Sequence, residues 1–349
     1  MKTVVYVAGG FVSGKTTACK EFAKLNGFTH YETDKVYDPM IAEHNRPIMY
    51  PGYRTEEDRQ ELRKKYAEKF YDCHDRSIVE GFAVNFKEDR EMIKAVIGPH
   101  RAIHIYIQPK YDHWLLYHEK RMRETGLPDI NKNWNFYSST ISLFEPPEKC
   151  WYLGDPQELI VPVGRYQTSA SEHKIKAILQ DCILTGATVL DLGCAEGLAG
   201  EYMIKEKKAA EVVGLDNNWW ALSENRSYGN LARLCDLEKE RLLNHGRFDI
   251  ALCLSLLHRI MDKERFVREI SSAADNAIFE LPVSNNSGFK ITRYDKIPGH
   301  NPAETQAWCP SEEYIKYLLN KYFSRVQLMG RSPIKYGDES NRLVWICKK

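Results

Sequence analysis

No apolar run in this sequence is long enough to span a bilayer, which argues against a membrane-embedded chain. No C-x-x-C pair occurs among its 9 cysteines. Zinc-site spacing is thereby absent, and an odd set of scattered thiols suits a reducing cytosol. Net charge is nearly absent too, with Lys+Arg 49 against Asp+Glu 48. That balance gives no support to a nucleic-acid partner, although a local basic patch would not show in it. Residues 1–7 are too short for a secretory leader and run straight into glycines, so they read as a strand.

What is present begins with size. A chain of 349 residues suits two domains, and 43% hydrophobic with 28% charged residues suits globular ones. Residues 4–17 (VVYVAGGFVSGKTT) then give the first sharp signal. An apolar, β-branched run ends in G-x-x-x-x-G-K-T, from Gly9 to Thr16, and Ala18, Phe22 and Leu25 follow at helical spacing. Strand, glycine loop and helix in that order are the setting a phosphate-binding loop needs. Glycines let successive N–H groups turn inward on a phosphate, and the helix points its positive end there. Gly9, Gly10, Ser13, Gly14, Lys15, Thr16 and Thr17 are therefore candidate ATP-binding residues. Lys15 would reach the β- and γ-phosphates, and the Thr16 hydroxyl would ligate Mg²⁺.

About the first 145 residues resemble P-loop kinases of the small-molecule and polynucleotide 5′-hydroxyl type. The resemblance implies roles for the positions that match. Asp34, just past a short strand at residues 28–31, would orient the acceptor hydroxyl and take its proton; otherwise it is a solvated loop residue. Glu80 ends a buried strand where such kinases place a second acid, usually an aspartate, that holds Mg²⁺ through water or positions the acceptor; its longer side chain suits either the metal shell or the acceptor. Arg121 and Arg123 fall where a basic lid would cover the phosphates. They equally suit a helix C-terminus complementing its dipole. Residues 55–71 are heavily charged, with Leu62, Tyr66 and Phe70 as one apolar stripe, and read as a surface helix or an acceptor flap.

Pro146 and Pro147, then Gly154 and Pro156, break any regular element. A first domain over 1–150 and a second over 160–349 are expected. Trp151, Tyr152 and Leu153 between them call for burial.

The second signal is residues 188–197 (TVLDLGCAEG), a strand running into a glycine turn. It resembles the first motif of class I methyltransferases that use S-adenosylmethionine. Gly193, Cys194 and Gly197 would let the backbone pass close under the cofactor, and Asp191 would support its amino end. Asp216 ends a second strand about 20 residues on, where Rossmann-type folds bind ribose hydroxyls. Nicotinamide cofactors use the same acid, but their G-x-G-x-x-G turn is missing here. Asp236 fits the adenine end. His258, after the strand at 248–254, either orients a phosphate or hydroxyl beside the methyl donor or is simply packed. Arg165 either meets the cofactor carboxylate or joins the domains. Residues 283–310, with His300 and Trp308, read as an acceptor-binding insertion, and 325–329 with 343–347 as a hairpin at the sheet edge.

Residues 160–349 further resemble the methyltransferase part of O-antigen chain-terminating methyltransferase–kinases. There the kinase follows the methyltransferase and is of protein-kinase type; here a P-loop precedes it, and H-R-D and D-F-G are absent. The expectation is an α/β chain of two parallel-sheet domains, one P-loop NTPase-type and one Rossmann-like. It is that of a cytoplasmic bifunctional kinase–methyltransferase using ATP, Mg²⁺ and S-adenosylmethionine. The hydroxyl-bearing acceptor is a glycan end, a nucleic acid or a small metabolite. A phosphate needs no base to accept a methyl group, so methylation of the new phosphate is expected, with Arg259 or His258 holding it. A non-catalytic nucleotide sensor or scaffold is the rival; intact Lys15, Thr16, Asp34 and Asp191 argue against it.

Overall fold

The computed structural model describes residues 2–10, 13–44, 47–73, 75–125, 137–138, 141–161, 169–224, 230–284, 290–293, 306–332 and 342–349. The chain divides into two compact units, Met1–Pro162 and Val163–Lys349.

The first unit is built on a five-stranded parallel sheet. Its strands are β1 (Thr3–Gly9), β2 (Thr29–Glu32), β3 (Arg76–Glu80), β4 (Arg101–Ile107) and β5 (Trp151–Leu153), in the order β2-β3-β1-β4-β5. β1 is central: Val5 lies opposite Ile78 on one side and Ile103 on the other. It is buried from Val4 to Ala8, as a parallel strand covered on both faces must be. Helices α1 (Lys15–Asn26), α2 (Asp34–His44), α3 (Glu56–Lys69), α4 (Lys87–Ile97) and α5 (Tyr111–Thr125) accompany it. On α1, Ala18 and Phe22 are buried, whereas Leu25 is exposed. Helix α3 starts on a capping box between Thr55 and Asp58. Its stripe of Leu62 and Tyr66, with Phe70 beyond, is packed into the core.

The join expected near residue 150 lies later. Trp151–Leu153 pairs in parallel with β4, Ile105 opposite Trp151 and Ile107 opposite Leu153. The first unit therefore keeps these apolar residues as its fifth strand.

The second unit has seven strands in the order β13-β14-β10-β9-β6-β7-β8. They are β6 (Thr188–Leu192), β7 (Glu211–Asp216), β8 (Asn230–Leu234), β9 (Phe248–Leu254), β10 (Ala274–Pro282), β13 (Arg325–Arg331) and β14 (Arg342–Lys348). All neighbours are parallel except β14, which runs antiparallel to β10 and β13 and forms the edge hairpin. A small ribbon of β11 (Lys290–Arg293) and β12 (Gln306–Cys309) stands apart from the sheet. The helices are α6 (Ser169–Leu179), α7 (Leu198–Lys205), α8 (Trp219–Ser223), α9 (Lys263–Ala273) and α10 (Glu312–Asn320). Two apolar clusters hold them, one centred on Phe266, Phe279 and Leu318, the other on Leu179, Val189 and Met203.

In each sheet the first strand sits between neighbours reached in opposite directions: β1 between β3 and β4, β6 between β7 and β9. That reversal opens a crevice at the carboxyl ends of the strands, where α/β sheets bind ligands. Both glycine loops leave the sheets there. Among the described residues, no helix is long and apolar enough to cross a membrane.

Candidate functional site

In the first unit the glycine loop leaves β1 and opens α1. Gly14 caps the helix in the left-handed conformation, at φ +76°. A side chain there is doubly excluded, because its Cβ would meet Pro156 Cγ at 2.8 Å. Gly9 is equally tight, with Ile107 O at 2.7 Å from a built Cβ. Lys15 Nζ donates to Gly10 O at 3.0 Å and to Ser13 Oγ at 3.4 Å, so the loop folds around the ammonium. Ser13 is buried, Thr16 half-buried and Thr17 exposed. Phe11 and Val12 lie outside the described residues.

Two acids lie near this loop: Asp34 opens α2 within electrostatic reach of Lys15, and Glu80 ends β3 opposite Val7. Asp34 Oδ1 accepts the Phe82 N–H at 2.6 Å. Burial raises its carboxyl above the usual range, while that N–H and the Lys15 charge pull the other way. Gly81 makes the arrangement possible: at φ +127°, a Cβ would sit 2.2 Å from Thr33 Oγ1 and 2.7 Å from Asp34 Oδ1. Glu80 is buried, and its Oε1 lies 3.5 Å from His30 Nε2. Its Oε2 has no hydrogen-bond partner among the described residues. An orphaned, buried carboxylate oxygen at this position suits a hard cation. Arg123 is exposed and donates to Glu119 O at 3.4 Å. The side chain of Arg121 lies outside the described residues.

In the second unit the turn at residues 193–197 links β6 to α7. Gly193 and Gly197 take left-handed angles, φ +70° and +76°, and Ala195 joins them at +46°. The Gly193 and Cys194 N–H groups donate to Leu215 O at 2.8 and 3.1 Å. The turn is thereby stitched to β7. Asp216 adds to the stitching: Oδ2 accepts Ala195 N–H at 2.9 Å and Oδ1 accepts Asn218 N–H at 2.8 Å. The Asn217 N–H acts on the same carboxylate, so Asp216 holds the loop through three backbone N–H groups. Asp191 is buried beside it. Burial and the Asp216 charge push its carboxyl up to about 7. A buried acid pair of this kind fits a cationic ligand group.

Other expected residues have local duties. Asp236 closes its own turn, accepting Glu238 N–H at 3.0 Å and pairing with Lys239 at 2.7 Å. His258 is buried; burial and the Arg342 and Arg259 charges hold its imidazole well below the ordinary value. It is a neutral group and not a cationic phosphate clamp. Arg259 is exposed. Arg165 and His300, and the side chain of Trp308, lie outside the described residues. Sequence reasoning missed Asn85, Gly81, Gly214 and a polar cluster of Lys174, Ser255, Glu280 and Arg342. Glu280 carried one signal, a carboxylate within the apolar run at residues 277–282.

Residues 164–322 match the family described as a methyltransferase domain. No curated protein matches the chain. Among solved structures, the N-terminal domain of EvdMO1, in the presence of S-adenosylhomocysteine and D-fucose, is 14% identical, with a TM-score of 0.40. That match covers 54% of this chain and 85% of that one. The Burkholderia thailandensis 1,6-didemethyltoxoflavin-N1-methyltransferase is 18% identical, covering 51% and 77%, with a TM-score of 0.38. Magnesium protoporphyrin IX methyltransferase from Synechocystis PCC 6803 is 18% identical, covering 53% and 90%, with a TM-score of 0.37.

Proposed function

We infer that the chain performs two group transfers in sequence, the second by a class I, S-adenosylmethionine-dependent methyltransferase unit, a reading supported by the match of residues 164–322 to a methyltransferase-domain family. The first unit moves a phosphoryl group from ATP to a hydroxyl. The second moves a methyl group onto the new phosphate, giving a methyl phosphate cap on a glycan terminus. The single observation that carries the kinase half is the loop itself. A left-handed Gly14 opens α1 at the switch point of a parallel sheet, and Asp34 sits within electrostatic reach of both Lys15 and Glu80.

Each residue has a task on this reading. The loop N–H groups and Lys15 hold the triphosphate. Mg²⁺, when bound, neutralises charge on the β- and γ-phosphates, and Thr16 and Glu80 would hold it. Asp34 accepts the hydroxyl proton through Oδ2, since Oδ1 is taken by the Phe82 N–H. The acceptor oxygen gains the phosphoryl group, and ADP leaves. In the second unit Gly193 and Gly197 admit the methyl donor, Asp191 faces its amino end and Asp216 its ribose. The phosphate oxygen then takes the methyl carbon as the carbon–sulfur bond breaks, releasing S-adenosylhomocysteine.

The test is mass spectrometry of glycans, oligonucleotides and small hydroxylated metabolites incubated with the protein and both cofactors. A gain of one phosphate plus one methyl group on a glycan end is expected. A methyl gain without phosphate would reject the cap. No phosphate gain on any acceptor would reject the kinase assignment.

A further inference from the structure

Cys235, Glu240 and His245 fall at five-residue steps in the segment that joins β8 to β9. No paired-cysteine spacing announces them, yet the folded segment brings their side chains to one point. Cys235 Sγ lies 3.5 Å from His245 Nε2, and His245 Nε2 lies 3.7 Å from Glu240 Oε2. Glu240 is in turn a hydrogen-bonding neighbour of the Cys235 thiol. One sulfur, one nitrogen and one oxygen thus lie within 4.8 Å of one another. Of the three such clusters among the described residues, this alone includes a thiol.

Contacts to the backbone hold the trio in place from outside it. Asp236 O accepts the N–H groups of Lys239 and Glu240, both at 2.9 Å, which closes the turn. Arg265 Nη2 donates to Leu237 O at 2.6 Å, and its Nη1 donates to Glu240 O at 3.4 Å. Arg233 Nη1 donates to His245 O at 3.4 Å. Glu240 Oε1 accepts the Asp236 N–H at 2.9 Å, so Oε2 is the oxygen turned to the imidazole. Ligating carboxylates are commonly fixed by such outer hydrogen bonds. Cys235 is 1% exposed, while the side chains of His245 and Glu240 are 10% and 42% exposed. The cluster is closed at its sulfur and open to solvent at its carboxylate.

The spacing fits a small cation. Zinc bonds of about 2.3 Å to sulfur and about 2.0–2.1 Å to nitrogen, at a tetrahedral angle, put those two donor atoms about 3.5 Å apart. Cys235 Sγ and His245 Nε2 have that separation already. A single ring nitrogen offers one proton or one lone pair, and so serves one of its two neighbours at a time. A cation at the centre serves all three groups. Thiolate, carboxylate and neutral imidazole together cancel its double charge. Sulfur with nitrogen is a donor set for Zn²⁺, whereas Mg²⁺ takes oxygen ligands.

We propose that Cys235, Glu240 and His245 bind one Zn²⁺, with water in the fourth position. The thiol proton leaves to solvent as the sulfur–metal bond forms. The site backs onto the strand end that carries Asp216, because the Cys235 N–H donates to Asp216 O at 2.9 Å. The metal therefore ties the turn after β8 to the end of β7. Neither phosphoryl transfer nor the identity of the methyl acceptor enters this inference.

The test uses the full chain, stripped of metal by a chelator that is then removed, and kept in excess Mg²⁺ to fill oxygen sites. Co²⁺ is the probe, because a thiolate–Co²⁺ bond gives a charge-transfer band in the near ultraviolet. One equivalent should bring up the band, and Zn²⁺ should remove it by displacement. Cys235→Ser should abolish the band, whereas Cys182→Ser, which changes a thiol outside the cluster, should keep it. Glu240→Gln and His245→Gln retain the sulfur, and each should weaken Co²⁺ at least about tenfold. Zn²⁺ should raise the melting temperature of wild type and of Cys182→Ser, but not that of Cys235→Ser. A cooperative melt in chelator reports that each variant is folded; if Cys235→Ser is not, the Glu240→Gln and His245→Gln arms decide. The site is overturned by an absent band at one equivalent, by a band that survives Cys235→Ser, or by unchanged affinity in both Glu240→Gln and His245→Gln. The trio would then be a hydrogen-bonded group and no metal site.

Discussion

Asn85 answers both backbone groups of Gly9. Its Oδ1 accepts the Gly9 N–H at 3.0 Å, and its Nδ2 donates to Gly9 O at 3.3 Å. The β1–β3 ladder ends at Val7 opposite Glu80, so the amide side chain extends it to the residue where the glycine loop begins. Asn85 is fully buried. Asn85→Ala leaves two buried backbone groups without partners, at about 1–3 kcal/mol each. The variant should unfold at lower denaturant and bind ATP more weakly, while S-adenosylmethionine affinity stays as it was. Calorimetry with each cofactor checks this. Wild-type ATP affinity in a folded Asn85→Ala protein would remove Asn85 from the loop's support.

The glycine turn of the second unit has a comparable constraint at Gly214. A Cβ there would lie 2.7 Å from Cys194 Sγ and 3.0 Å from Cys194 Cβ. Gly214 is ordinary strand backbone, so the cost of Gly214→Ala comes from the collision. Overpacking of this kind costs about 1–3 kcal/mol. The turn carries Cys194, so S-adenosylmethionine affinity should fall with stability. Removing the sulfur with Cys194→Ala should return part of both in the double variant. Additive effects in that cycle would show that the two residues do not press on each other.

Asp191 gives the second unit a pH dependence of known sign. Its folded pKa, about 7, lies above the unfolded carboxylate value of about 3.9. The folded state therefore binds the proton more tightly. The contribution is fully present below about pH 4 and is lost as pH rises to about 7. Glu280 works oppositely, losing its contribution only as pH falls towards about 2. His258, depressed by burial, also destabilises in acid, below the usual imidazole range. The difference between wild type and Asp191→Asn separates these. The variant should gain on wild type in thermal stability from pH 4 to 7. A cationic ligand group favours the ionised acid, so wild-type S-adenosylmethionine affinity should rise over the same window and then level off. Parallel stability curves would mean that Asp191 titrates normally.

Both glycine loops were legible because their signals are local. A β-branched run, glycines at left-handed positions and an apolar helical stripe lie within about a dozen residues of each other. The supports were not legible. Asn85 reaches Gly9 across 76 positions, and Arg342 reaches Glu280 across 62. Nothing periodic marks such pairs. Trp151–Leu153 looked like a join because three residues between two proline-containing turns have no pattern; only pairing with β4 makes them a strand. Asp216 was read as a ribose ligand from its place at a strand end. Its bond to Ala195 N–H, 21 positions earlier, shows a carboxylate that also holds the turn together.

The last prediction concerns the order of the two transfers. A free hydroxyl needs a base before it will accept a methyl group, whereas a phosphate monoester already carries about −1.5 to −2 charges at pH 7. Among the described residues at the ends of β9 and β10, burial and neighbouring arginines hold His258 well below the usual imidazole range, which makes it a weak proton acceptor, and Glu280 is committed to Arg342. Neither serves as a base for a hydroxyl. Methylation should therefore wait for phosphorylation. Lys15→Ala should abolish phosphoryl transfer, because the triphosphate loses its one loop cation, and methylation of an unphosphorylated glycan should stop with it. S-adenosylmethionine binding should persist. Supplying the glycan already phosphorylated should restore methyl transfer by the same Lys15→Ala protein to within about twofold of wild type, since the second unit is untouched. The measurement is incorporation of labelled methyl groups into each acceptor. Normal methylation of the unphosphorylated glycan by Lys15→Ala would show that the two activities are independent and that the product is not a phosphate cap.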